Sequence, residues 1–273
     1  MNIEQNTGKP FVYVLGSIGY DFGDSVRNDY FRRVRSWKYG PDDAGELLDY
    51  LRESPQSAPD IVWTLDIGDM PVYAIRPVCP FTTNTYAKLR ELLRDQISCK
   101  DHRVALPGYL NGRQRLMSKK MVPVLVPALY GIRSWSLDSA KTVPSDAFTD
   151  ESDIQHPKQE PGNAGRRFLE RIIHERRNFG IRPEERAINY AVAIALETHQ
   201  IFESAASESL ELHSITAERN LFNGPNTDLW DVTMVFFNPE RMTTSARHTY
   251  RLTVNIVDVV PTTVGRVRKW HVF

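Results

Sequence analysis

Cysteine is scarce: Cys79 and Cys99 are the only two in 273 residues. Two thiols exclude a disulfide framework at this length, and the lack of a CxxC pair or of histidines at zinc-finger spacing removes the common structural-metal templates. An excess of charge of one sign is also missing, since 34 Lys and Arg balance 34 Asp and Glu. A chain without bulk basic charge is not built to coat nucleic acid or an anionic membrane, so neither is expected as a partner. The most apolar stretches, Met121 to Ile132 and Ala187 to Leu196, fall short of the roughly 20 residues a bilayer span needs, and Pro123 and Pro127 interrupt the first. The N-terminus carries no basic region followed by an apolar one, so no secretory signal is read there and a cytoplasmic location is expected.

Catalytic templates are absent as well. No GxSxG elbow, HExxH signature or EF-hand loop occurs. Gly16, Gly19 and Gly23 match neither GxGxxG nor GxxxxGK[ST], and predict a demanding turn rather than a phosphate cradle. Seven histidines are dispersed along the chain, so neither a metal nor another cofactor is expected.

What is present is an ordinary globular composition, 41% hydrophobic and 25% charged, long enough for one large domain or two packed ones. An apolar strand is expected from Phe11 to Gly16, then a helix from Asp24 or Ser25 to Trp37. A second helix starts at Pro41-Asp42-Asp43 and ends near Glu53, with Ala44, Leu47, Leu48 and Leu51 on one face. Ile61 to Asp66 and Met70 to Val78 read as a hairpin about Gly68-Asp69, its second strand an edge or short because of Pro71 and Pro77. A helix capped by Thr82 or Thr83 follows, then short strands at 103–106, 110–117, 122–126 and 132–137 separated by Pro107-Gly108, Asn111-Gly112 and Gly131.

Residues 139–163 are polar, aperiodic and rich in Ser, Thr, Pro and acid, which reads as a linker or long surface loop. Beyond them, helices are expected at 164–179 and 183–207, then strands at 212–217, 229–238, 249–259 and 265–273. The fold class is therefore α+β: two closely packed α+β subdomains, 1–138 and 164–273, the second a helical pair on an antiparallel sheet.

The densest set of unusual residues falls on that last sheet. Asp228, Trp230 and Asp231 stand at one strand, Arg251 and Asp258 on or after the next, and Arg266, Arg268 and Trp270 on the last. Side chains two apart share a strand face, so Trp230 should point with Val232, Met234 and Phe236, and Asp231 with Thr233 and Val235. An aspartate on a partly apolar face needs a partner, and Arg251 or Arg266 is the natural one. The candidate acid and base residues are Asp228, Asp231 and Asp258; the candidate binding residues are Trp230, Arg251, Arg266 and Trp270. A structural ion pair with aromatic packing is the plain alternative.

Six segments also carry a family resemblance: Phe11-VYVLGSIGYDFG, Trp63-TLDIGDMPVYAIRP, Leu106-PGYLNG, Pro183-EERAINYA, Asp228-LWDVTMVFFNPE and Tyr250-RLTVNIVDVVPTTVGRVRKW. In this order they resemble the C-terminal domain of unknown function of cyanobactin-maturation proteases of the PatA and PatG type. There the domain follows a subtilisin-like protease; here it is read as a standalone chain from Met1 with no GTS-type nucleophile segment, so proteolysis is not expected. Where that family has Asp-Cys-Trp-Asp, this chain has Asp228-Leu229-Trp230-Asp231. The resemblance implies a non-catalytic binding or scaffold protein in the maturation of ribosomally made, modified peptides, its partner a precursor peptide or a modifying enzyme. A peptide-modifying enzyme using the Asp and Arg residues above is the alternative, and a homodimer is a further possibility.

Overall fold

The structure, a computed structural model, describes residues 8–35, 43–99, 102–136, 178–198, 210–239 and 246–272. The stretch 139–163, most of the helix expected at 164–179, and the part of the next helix beyond Thr198 lie outside the described residues, as do His156, His174 and His199.

The first sheet is built from β1 (Phe11–Asp21), β2 (Val62–Ile67), β3 (Met70–Ile75), β4 (His102–Arg115), β5 (Met121–Pro127) and β6 (Arg133–Ser136). Its order is β1-β2-β3-β5-β4-β6, and β4 pairs with β1 as well, so the ladder returns to its start and the sheet is strongly curled. β1 makes this possible by changing partner along its length. Phe11 to Gly16 pair with β4, and Ser17 to Asp21 pair with β2.

The expected turn at Gly16 to Gly23 is thus mostly strand. A Cβ on Gly16 would sit 2.4 Å from the Asp66 carbonyl oxygen, and one on Gly19 would sit 2.2 Å from the Asp66 carboxylate, so both glycines serve close strand approach. Only Gly23, at φ +80°, turns the chain. The same cause merges two expected strands into β4. Gly108 lets the Val126 carbonyl approach to where a Cβ would be only 2.3 Å away, and Gly112, at φ +87°, lies within a register shift instead of ending the strand.

The hairpin turns through Gly68 and Asp69 at φ 50° and 54°, as a type I′ connection requires. β3 is short as expected but not an edge, since Ala74 and Ile75 pair in parallel with Val124 and Leu125. Helices α1 (Ser25–Arg35) and α2 (Ala44–Glu53) precede that hairpin and α3 (Thr82–Ser98) follows it. Asp24 caps α1 through the Arg27 N–H at 2.8 Å, and Asp43 caps α2 through Gly45 and Glu46. α3 begins at Thr82 with Phe81 as its cap residue and no side-chain bond there, so the threonines do not cap it.

Among the described residues one further helix organises the rest. α4 (Pro183–Thr198) is apolar nearly all round, with Ala187, Ile188, Tyr190, Ala191, Val192, Ala193, Ala195 and Leu196 all buried. Such a helix must be covered on more than one side. It packs on β1, β4 and β6 of the first sheet and on β7 (Glu211–Arg219), β8 (Leu229–Phe237) and β9 (Arg247–Asn255) of a second, antiparallel sheet completed by β10 (Thr262–Val272).

Strand alternation shows the layering directly. Val12 and Val14 join the core beneath α2 and α3, while Tyr13 and Leu15 join the core around α4. Asn189 of α4 donates to the Tyr13 carbonyl at 2.8 Å and to Asn178, and the Tyr13 N–H donates to the Gly180 carbonyl at 3.0 Å. These bonds clip the entry to α4 onto β1.

Candidate binding site on the C-terminal sheet

The second sheet runs β10-β9-β8-β7, and its two faces differ in chemistry. Val232, Met234, Phe236, Tyr250, Leu252 and Val254 turn inward and are buried with α4. The residues between them turn outward. By register, Glu218, Asp231, Thr253 and Val264 form one outer row, Thr216, Thr233, Arg251 and Arg268 the next, and Val235, Thr249 and Trp270 a third with Ser214. The expected separation of Trp230 from Asp231 holds: Trp230 packs against the inner core and Asp231 lies outside.

Asp231 is half-buried, but its partner is not an arginine. Thr253 Oγ1 donates to its Oδ1 at 2.6 Å, and Asn220 Nδ2 donates to its Oδ2 at 3.0 Å. The expectation of Arg251 or Arg266 is corrected here, because the residue directly opposite Asp231 on β9 is Thr253, with Arg251 one row away. Both carboxylate oxygens are satisfied by neutral donors.

Arg251 turns instead to Trp270, its guanidinium carbon 5.3 Å from the ring centroid. Its Nε is buried and has no hydrogen-bond partner. Directly opposite it on β10 stands Arg268, which is exposed. Arg266 lies in the register shift between Val264 and Arg268, where Gly265 takes φ +77°, and so stands outside the ladder.

Asp228 and Asp258 lie elsewhere, at the end of the sheet beside α4. Asp228 Oδ1 accepts from Trp230 Nε1 at 3.0 Å and lies 3.6 Å from Arg219 Nε. Asp258 is exposed, and its backbone carbonyl accepts from Arg186 Nη2 at 2.6 Å. Arg186 is buried, only 7% exposed, and its guanidinium carbon lies 5.5 Å from the Phe11 ring centroid. Burial lowers its pKa to about 10, partly opposed by the nearby Asp228 and Asp258 charges. The three aspartates therefore form no shared acid and base pair: Asp231 belongs to the outer face, Asp228 and Asp258 to the Arg186 junction.

Two arginines of these sites escaped the candidate set. Arg186 falls one helical turn before the buried Tyr190, a spacing that places it on the apolar stripe. Arg268 alternates with Trp270 on β10, so strand periodicity alone puts the two on one face.

Among the described residues no group of three His, Cys, Asp or Glu is placed to hold a metal ion, and no helix is long and apolar enough to cross a membrane. The PatG Domain family model matches residues 11–136, and the PatG C-terminal model matches residues 155–270. A solved structure described as "PatG Domain of Unknown Function" is 28% identical with a TM-score of 0.79, covering 97% of this chain and 100% of that one. No curated protein matches the chain. With the two models falling in order on its two halves and a solved PatG domain superposing along nearly its whole length, the chain carries the PatG Domain and PatG C-terminal units in series and resembles PatG domains of unknown function, which are associated with cyanobactin maturation.

Proposed function

We propose that this protein is a non-catalytic recognition module in the maturation of ribosomally synthesised, post-translationally modified peptides, working in the cytoplasm and holding a precursor peptide in extended form. One observation carries the reading: among the described residues β10 ends the second sheet, and all its residues from Thr262 to Val272 are exposed except the half-buried Trp270. An edge strand presents a row of unpaired backbone N–H and C=O groups, to which an extended peptide adds as a further strand. Arg251, Arg266 and Trp270 flank that edge as side-chain contacts. Trp230 faces the core and contributes to the sheet's rigidity instead. The state of the carboxylates agrees with binding, because Asp231 is held by Thr253 and Asn220 and is not aligned against a second acid. A modifying enzyme that exposes an extended segment would dock by the same geometry.

The test is co-expression with a candidate precursor peptide encoded nearby, capture on tagged protein, and intact-mass measurement of the peptide. Recovery at unchanged mass is expected. A reproducible mass change that disappears in Asp231→Asn would make the protein an enzyme and overturn the reading.

A further inference from the structure

The outer row that contains Arg251 and Arg268 is electrostatically incomplete. Two arginines stand directly opposite each other on neighbouring strands, an arrangement that destabilises a sheet unless an anion lies between or beside them. Among the described residues no carboxylate forms an ion pair with Arg251, Arg266 or Arg268. Asp231, the nearest acid by register on β8, already accepts from Thr253 and Asn220.

The row is also preorganised. Stacking on Trp270 holds the Arg251 guanidinium in place, so an acceptor that meets it would gain a charge-assisted bond at little ordering cost. The edge strand itself repeats the sign. From Thr262 to Val272 it carries Arg266, Arg268, Lys269 and His271 and no acidic residue.

Basic residues and a bulge on an edge strand are also what protects a sheet from casual pairing, and that use explains Arg266, Arg268 and Gly265. It does not explain Arg251, which lies on an interior strand with its Nε buried. Guarding an edge requires no arginine there.

Resting on the reading of β10 as a strand acceptor, we infer that the Arg251–Arg268 row, with Trp270 beside it, binds the carboxylate of an aspartate or glutamate in the added strand, so that the partner is an acidic extended segment. A residue of the added strand opposite Arg268 shares its face, because cross-strand partners point the same way. Its carboxylate then meets the exposed guanidinium of Arg268 first and that of Arg251 behind it. Successive acids two residues apart would follow the same face.

The inference is tested by titration calorimetry with three acetylated, amidated ten-residue peptides of alternating threonine with glutamate, glutamine or lysine, and with inorganic phosphate alone. The glutamate peptide should bind at least about tenfold more tightly than the glutamine one, as one or two charge-assisted bonds imply. Arg251→Met should abolish that preference, and Arg268→Glu should transfer it to the lysine peptide. This gain of a new preference cannot come from misfolding. Equal binding of glutamate and glutamine peptides would overturn the carboxylate inference and leave strand addition standing. Phosphate binding as tightly as the glutamate peptide would overturn it in favour of a free-anion site. If no peptide binds and β10 amide exchange is unchanged in their presence, the strand-acceptor reading fails with it.

Discussion

The two sheets solve the problem of covering their faces differently. The first buries apolar residues on both sides: Val12, Val14, Val104 and Leu106 toward α2 and α3, and Tyr13, Leu15 and Ala105 toward α4. The second covers one face with α4 and leaves on the other a row of threonines, arginines and a tryptophan. The first sheet is thereby scaffold throughout, whereas the second is scaffold on one side and surface on the other. Function is sought where the same strand carries both roles, and β9 is that strand: Tyr250 and Leu252 seal the core while Arg251, between them in sequence, faces outward.

The sharpest way to break the comparison is to truncate one inward residue and one outward neighbour. Met234→Ala, on the fully buried inner face, should cost about 2–5 kcal/mol in urea unfolding, as large-to-small core changes do. Thr233→Ala, one residue away on the outer face, should cost under about 1 kcal/mol. Similar losses for both would mean that the outer face is packed as firmly as the core.

Asp231→Asn should give a smaller loss, about 1 kcal/mol, since the amide keeps one acceptor for Thr253 or Asn220 and turns a donor toward the other. Equilibrium unfolding of the variant measures it. Peptide capture should persist in this variant.

The two sheets also treat their aspartates differently. Asp66 on β2 has Oδ1 buried without a partner, and burial raises its pKa, opposed by a bond from Thr64 and aided by the Asp69 and Asp21 charges. A raised carboxyl favours the protonated folded state, so its stabilising contribution is complete below the ordinary aspartate range and is lost as pH rises through the raised value. At pH 7 the ionised form is a liability. Asp66→Asn should therefore raise Tm at pH 7 by about 1–3 °C and flatten the fall in Tm between acid and neutral pH. Calorimetric scans at several pH values would show it. An unchanged pH profile would mean that the carboxylate is better solvated than its burial implies.

The smallest effect should belong to Arg268→Thr. Removing one member of the opposed arginine pair, and placing a β-branched residue on a strand, should stabilise the free protein by a few tenths to about 1 kcal/mol while weakening capture of acidic peptide. A destabilised variant would imply that Arg268 already has a structural partner.

Much of this architecture was legible in the sequence because periodicity encodes it. The alternation through Val232, Met234 and Phe236 assigned the inner face of β8, and Gly68-Asp69 marked the hairpin. The glycines misled where they serve proximity. Nothing local distinguishes Gly16 or Gly108, which admit a neighbouring carbonyl, from Gly23, which turns the chain. The site was legible as a set of strands and not as contacts. Asp231, Arg251 and Trp270 do share one face, but the pairing of Asp231 with Thr253 depends on the register of β8 against β9, which no single strand reveals. Arg186 was hidden for the same kind of reason: its partners come from β1 and from the loop after β9.

Amide hydrogen exchange across β10 tests the central claim most directly, with the captured precursor peptide or the glutamate peptide bound. Slowed exchange concentrated in Thr262–Val272, with the opposite edge at β7 unchanged, is the predicted result. Protection at β7 or elsewhere with β10 still exchanging freely would contradict the strand-acceptor account.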